Sequence, residues 1–381
     1  MFNLCKFRWL ASAFIMLGLF GVSAWIRGEV DDPVAVIALE HTIHHHASGI
    51  NASDAITITP TSLYSPTLVG EVSLGAAPHG VAVTPDGKRV YVTDFTARSV
   101  SVIDAVQLQE VVSIQVGRGA VNVIIASDGT RAYVTNELDD TLSVIDTATN
   151  QVIKTISLPD RPHGLMLGVD PMSGEVDRRL YVANLGSDVV SVIDTQTFAI
   201  LKDVPVGNTP DSPAVTKDGR NVWVTNYNED LSPSTLSLID ALALTEIYTL
   251  TVGIHPHGIK LAPDDRTLYV SGQGGDEIVV VDTASRQVID HYAVGNIPHG
   301  LGLSPDGRYL WTGDQGSRTS TVVDAQTGVV VAQLATGQTS MPHVIAFAPD
   351  GYRAYITDFT GRRLLVADIM RPSLYLPLVV R

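Results

Sequence analysis

Five loops of this chain repeat one chemical pattern: Pro78-His79-Gly80, Pro162-His163-Gly164, Pro256-His257-Gly258, Pro298-His299-Gly300 and Pro342-His343-Val344. When the units are aligned on the turns that follow, Val121 and Asp211 take the same position in two more, so the series reads His, Val, His, Asp, His, His, His. Imidazoles and a carboxylate at equivalent positions form a donor set for zinc, copper or iron, all of which accept nitrogen ligands. A second set is acidic and lies in polar loops: Glu137, Asp139, Asp140, Asp188, Glu229, Asp230, Asp276 and Glu277. A face built from these loops attracts cations or basic partners, or simply keeps the protein soluble. Other chemistries lack their residues. There is no Gly-x-Ser-x-Gly elbow, no Gly-x-x-x-x-Gly-Lys phosphate loop and no His-Glu-x-x-His pair.

The elements that must position these side chains follow from an internal repeat. Seven times the chain gives a short β-branched run, a turn, an aromatic-led strand, a polar loop, an apolar run closed by Asp, and a strand ending near Gly. The turns are of the Pro85-Asp86-Gly87 kind, replaced in the third unit by a longer stretch from Asp170 to Arg179. The aromatic positions are Tyr91, Tyr133, Tyr181, Trp223, Tyr269, Trp311 and Tyr355, about 42 to 48 residues apart. Four strands per unit at this period predict an all-β, seven-bladed β-propeller of four-stranded antiparallel blades. The last unit lacks a fourth strand after Asp368, and an unpaired run at about 67–75 supplies it, closing the ring without an open edge. The tail Leu374 to Val380 competes for that place.

The aromatic strands Tyr91-Val92-Thr93-Asp94, Tyr133-Val134-Thr135-Asn136, Tyr181-Val182-Ala183-Asn184, Trp223-Val224-Thr225-Asn226 and Tyr355-Ile356-Thr357-Asp358 closely resemble the repeat of the YVTN family of surface-layer-type propellers. Tyr269-Val270-Ser271-Gly272 and Trp311-Thr312-Gly313-Asp314 depart from it. The resemblance covers the propeller and implies its fold; it implies little chemistry, because propellers carry unrelated functions on one scaffold. Propellers of this general kind also form part of nitrous oxide reductase, with its histidine-bound copper cluster, and the haem-binding domain of cytochrome cd1. Seven-bladed lactonases and a streptogramin lyase share the architecture as well.

Strand alternation argues against a shared ligand set. His79 falls on one face with Val81 and Val83, and propeller strand faces look at neighbouring blades. Each imidazole is therefore expected between two blades, bonded to a neighbour's backbone, with the adjacent Gly allowing close approach. On this reading no cofactor is expected, and a transition metal on His79, His163, Asp211, His257, His299 and His343 is the alternative.

Composition narrows the setting. The 381 residues carry 40 acidic against 25 basic side chains, so a nucleic-acid partner has no electrostatic footprint. Lys6 and Arg8 precede an apolar run ending near Val22-Ser23-Ala24, which reads as a signal peptide at 1–24 or an uncleaved anchor. Cleavage would remove Cys5, the single cysteine, and with it disulfides, thiolate catalysis and Cys-ligated metal. A linker at 25–66 contains the cluster His41, His44, His45 and His46, read as solvated. The domain plan is then a propeller at 67–370 with a tail at 371–381. The expected function is an extracytoplasmic, monomeric binding scaffold for a protein or cell-envelope component. A lactonase- or lyase-like enzyme and a metal- or haem-carrying protein are the alternatives, and the membrane is touched only through an uncleaved N-terminus.

Overall fold

Each repeat unit folds into a meander whose two middle strands are covered on both faces. In the first blade, Arg89–Asp94 and Ser99–Asp104 are buried almost throughout, whereas the outermost strand Gln109–Gln115 is mostly exposed. The computed structural model describes residues 65–228, 234–253 and 255–370, with three short strands nearer the N-terminus. Seven four-stranded antiparallel sheets follow in chain order, and each inner strand packs against those of the next blade, the last against the first. The chain divides into two units, Met1–Leu63 and Tyr64–Arg381. Of the first, the described part is an antiparallel sheet of Ala13–Leu17, Val22–Ile26 and Glu40–His41. The rest of the expected signal and linker, including His44 to His46, lies outside the described residues, as does the tail at 371–381. Among the described residues no helix is long and apolar enough to cross a membrane.

The ring closes through the N-terminal strand. Ser65–Ser73 pairs antiparallel with Arg363–Met370, from Arg363 opposite Ser73 to Met370 opposite Ser65. The strand starts two residues before the expected position, and it, not the tail, completes the seventh blade.

The core is seven slabs between blades instead of one central mass. Tyr91, Val100 and Val102 of the first blade pack with Val123, Ala132 and Val134 of the second. Trp223 of the fourth packs with Ile259, Leu268 and Val270 of the fifth, and Trp311 of the sixth with Ile345 and Ile356 of the seventh. The repeated aromatics are at most 5% exposed and supply the largest apolar areas of these interfaces. Because apolar burial is satisfied between blades, nothing requires the axis to be filled.

Candidate functional site

The axis holds a cavity of about 420 Å³, lined by the innermost strands of the blades. Its walls include His79, His163, Asp211, His257 and His299 at one end and Pro305 and Phe347 at the other. The histidines do not lie separately between blades. The centroids of His257 and His299 are 4.2 Å apart, those of His299 and His343 4.5 Å, those of His343 and His79 4.8 Å, and those of His79 and His163 5.5 Å. One nitrogen from each of His79, His299 and His343 lies within 4.8 Å of the others.

A β-bulge explains why alternation misleads here. The innermost strand loses register between Pro78 and Val81, and likewise at Pro162/Leu165, Pro210/Pro213, Pro256/Ile259, Pro298/Leu301 and Pro342/Ile345. The His or Asp follows the Pro inside each irregular step, where a bulge re-aims a side chain that a regular strand would send to the neighbouring blade. The second blade has the same step, Ala120 to Val123 on its innermost strand against Asn136 to Val134 on the partner, and presents Val121 there.

The motif threonines hold these bulges. Thr357 Oγ1 accepts from Val344 N–H at 3.0 Å and donates to the His79 carbonyl of the next blade at 2.7 Å. Thr93 links Gly80 N–H to Val121 O, and Thr135 links Asn122 N–H to His163 O. Thr225 and Ser271 bond the His257 and His299 carbonyls in the same way. The glycines complete the joint. A Cβ on Gly80 would meet Val121 O at 2.6 Å, and one on Gly300 would collide with the His343 carbonyl. The expected close approach is therefore present, while among the described residues no imidazole bonds the backbone of a neighbouring blade; the carbonyls of these residues make the inter-blade bonds instead.

Asp211, 2% exposed, lies between two imidazoles, with Oδ2 at 3.1 Å from His257 Nδ1 and 3.4 Å from His163 Nδ1. Burial alone would raise its carboxyl. The attraction of His257 and His163 outweighs that and holds it well below the usual carboxylate range. Burial and mutual repulsion act the other way on three of the histidines, lowering His79 and His299 well below the ordinary imidazole value and His343 to about 4. These three are neutral at pH 7, the form in which imidazole binds metal. His79 Nδ1 is buried without a hydrogen-bond partner. His343 Nδ1 lies 3.1 Å from Met341 O, and Gln315 Nε2 lies 3.3 Å from His343 Nε2.

Sequence reasoning missed the aromatic residues over this ring, Phe95, Tyr227 and Phe359, which directly follow the Tyr-Val-Thr-Asn-type strands. Each is fixed by an N–H bond to the residue preceding the innermost strand, as in Phe95 to Ala77 O, Tyr227 to Thr209 O and Phe359 to Met341 O. Phe359 stacks on His343 at 5.0 Å and Tyr227 lies 4.7 Å from His257. Their signal was present, as one position after an already recognised motif. Lys260, three residues after His257, was missed as well and lines the channel.

The acidic loop residues do different work. Asp140, Asp188 and Asp276 accept from Arg161, Thr209 and Ile297 N–H at 2.8 to 3.0 Å, holding residues with φ near 55° at the start of innermost strands. Asp139 binds Arg118, Glu137 pairs with Arg161 at 3.1 Å, and Glu277 with His291 at 3.1 Å. Asp140, Asp188, Asp276 and Glu137 thereby fasten one blade to the next, and Glu277 joins two strands of the fifth blade, which a solvent-facing reading of the loops does not anticipate. Glu229 and Asp230 lie outside the described residues.

Fold and site together define a seven-bladed propeller with a polar, histidine-rich centre on its axis. The chain belongs to the cytochrome D1 heme domain family, whose pattern matches residues 132–349, more than half its length. Residues 42–173 also match the YNCE-like beta-propeller family. Among solved structures the chain is similar to Kuenenia stuttgartiensis hydrazine synthase, at 19% identity and a TM-score of 0.69, over 80% of this chain and 98% of that one. No curated protein matches it.

Proposed function

We propose that this protein holds a transition-metal ion of the copper, zinc or iron kind on the propeller axis, outside the cytoplasm. His79, His299 and His343 are its ligands, and His163, His257 and Asp211 adjoin them. The observation that carries this is the approach of three buried imidazole nitrogens within 4.8 Å. Around a tetrahedral ion with bonds of about 2.0–2.1 Å, ligand nitrogens lie roughly 3.3 Å apart, a distance these rings reach with small side-chain shifts. Burying imidazoles against one another costs stability, as their lowered pKa values record, and a ligand offsets that cost. A passive scaffold would have no use for the arrangement. The family and neighbour names, a cytochrome heme domain and a hydrazine synthase, also speak for an active centre.

The donor set supports a bare ion over haem at this position. A tetrapyrrole supplies its own equatorial nitrogens and leaves one or two axial positions to the protein. Three imidazoles converging from one ring, with centroids 4.5 to 5.9 Å apart, leave no plane for a macrocycle among them.

The test is elemental analysis of untagged protein, purified without a metal-affinity step and reconstituted separately with Cu, Zn and Fe. About one ion per chain is expected, falling in His79→Ala, His299→Ala and His343→Ala while circular dichroism stays unchanged. Wild-type protein that retains none of the three ions after reconstitution would refute the reading.

A further inference from the structure

One charge in the channel has no role in the cluster just described. Lys260 lies on the innermost strand Pro256–Leu261 of the fifth blade, and its side chain lines the axial cavity. The residues at the same position in the other blades are Ala82, Ile124, Met166, Ala214, Gly302 and Ala346, all apolar or without a side chain. The repeat would place a small or aliphatic residue here, and a cation is a break in it. No carboxylate lies within ion-pair distance of Lys260, and no hydrogen bond is formed by its ammonium among the described residues. Asp211, the carboxylate that lines the same cavity, is committed to His163 and His257. What remains of the lysine's accessible surface faces the cavity.

A half-buried ammonium without a partner is costly, and a fold that keeps one in an open cavity gains most from a mobile counterion. Burial, with no compensating charge, pushes the lysine pKa down. The cavity, of about 420 Å³, has room for a small molecule together with water. Its other polar side chains are few, with Asn122 and Ser212 near the histidine end.

We infer that the axial channel is a binding site for a small oxyanion, a carboxylate or an inorganic ion such as phosphate or sulfate, with Lys260 as its charged anchor. The inference rests on the channel and Lys260 alone and does not depend on the metal.

It is tested on the full chain after exhaustive treatment with EDTA, so that loss of metal and loss of anion binding are read separately. Acetate, phosphate and sulfate are titrated at constant ionic strength against chloride, by calorimetry and by melting temperature. At least one should give saturable heat and a saturable rise in melting temperature. Lys260→Met should weaken that binding by at least about tenfold, and Lys260→Arg should retain it. Lys260→Met without added anion should melt no lower than wild type, since it removes an unpaired half-buried charge; this separates lost binding from lost folding. No saturable response to any of the three anions, or a Lys260→Met protein weakened less than about tenfold, would overturn the inference.

Discussion

Acidification of the metal-free protein tests the axial cluster quantitatively, through His343. This imidazole is 5% exposed, and burial, the largest influence, holds its folded pKa at about 4 against an ordinary value of 6.5. The folded value is depressed, so between the two values the unfolded chain takes up a proton that the folded chain refuses. Stability is complete above about pH 6.5 and drains away as the pH falls toward 4. That interval of about 2.5 pH units, at about 1.4 kcal/mol each, makes roughly 3 kcal/mol from one residue, of which about 2.5 kcal/mol is gone by about pH 4.5. His79 and His299 are depressed in the same direction and add to the loss. Asp211 does not confuse the window, because a depressed carboxyl begins to lose its contribution only below its ordinary value of 3.8.

The assay is urea unfolding in EDTA at about pH 7, 5.5 and 4.5, for wild type and His343→Gln. Glutamine keeps hydrogen-bonding capacity toward Met341 and Gln315 while removing the titration. Between pH 7 and 4.5 the wild type should lose about 2.5 kcal/mol more than the variant. Removing His343 also relieves repulsion on His79, so coupling between them enlarges the difference. Equal losses in the two proteins, within about 0.5 kcal/mol, would refute the claim that these imidazoles are held neutral by burial against one another.

Three further outcomes follow from the same geometry. Asp211→Asn removes the carboxylate beside His163 and His257 and should weaken metal binding by about 10- to 100-fold in a chelator competition. Gly300→Ala places a Cβ against the His343 carbonyl and should cost about 2 kcal/mol or more in urea unfolding, whereas Gly75→Ala, with nothing within 4 Å, should be neutral. Thr357→Val strips a hydroxyl that bonds Val344 N–H and His79 O across the ring closure, at an expected cost of about 1–3 kcal/mol in the same measurement.

The fold was legible because the repeat is a statement about strands. An aromatic-led run, a turn and a closing Asp recur seven times, and the unpaired run before Gly75 left one place for the closing strand. The donor set was legible as a list: His79, His163, Asp211, His257, His299 and His343 were all visible from spacing. Their direction was not. Period-two alternation assumes a regular strand, and the register step after Pro78 and its equivalents breaks that assumption at the residue that matters. Nothing in a Pro-His-Gly tripeptide announces a bulge. Lys260 was overlooked for another reason: a single lysine in an apolar strand shows as a departure only after every blade has been aligned residue by residue.

The departures from the repeat follow the same logic. Five blades use a Thr or Ser hydroxyl to pin the carbonyl of the next blade's axial residue; the third and sixth have Ala183 and Gly313 instead. The carbonyls left without that hydroxyl belong to Asp211 and His343. These are the two axial residues with side-chain arrangements of their own, Asp211 accepting from Ser212 Oγ at 2.7 Å and His343 lying against Gln315 and Phe359. A ring of identical joints would present seven equivalent side chains to the axis, a symmetric collar with no preferred ligand geometry. Here Asp211 lies between His163 and His257 on one side, and His343 approaches His79 and His299 on the other. The sevenfold framework thus supplies rigidity through its regular joints, while the axial side chains divide into an anionic half around Asp211 and a half of neutral imidazoles, His79, His299 and His343.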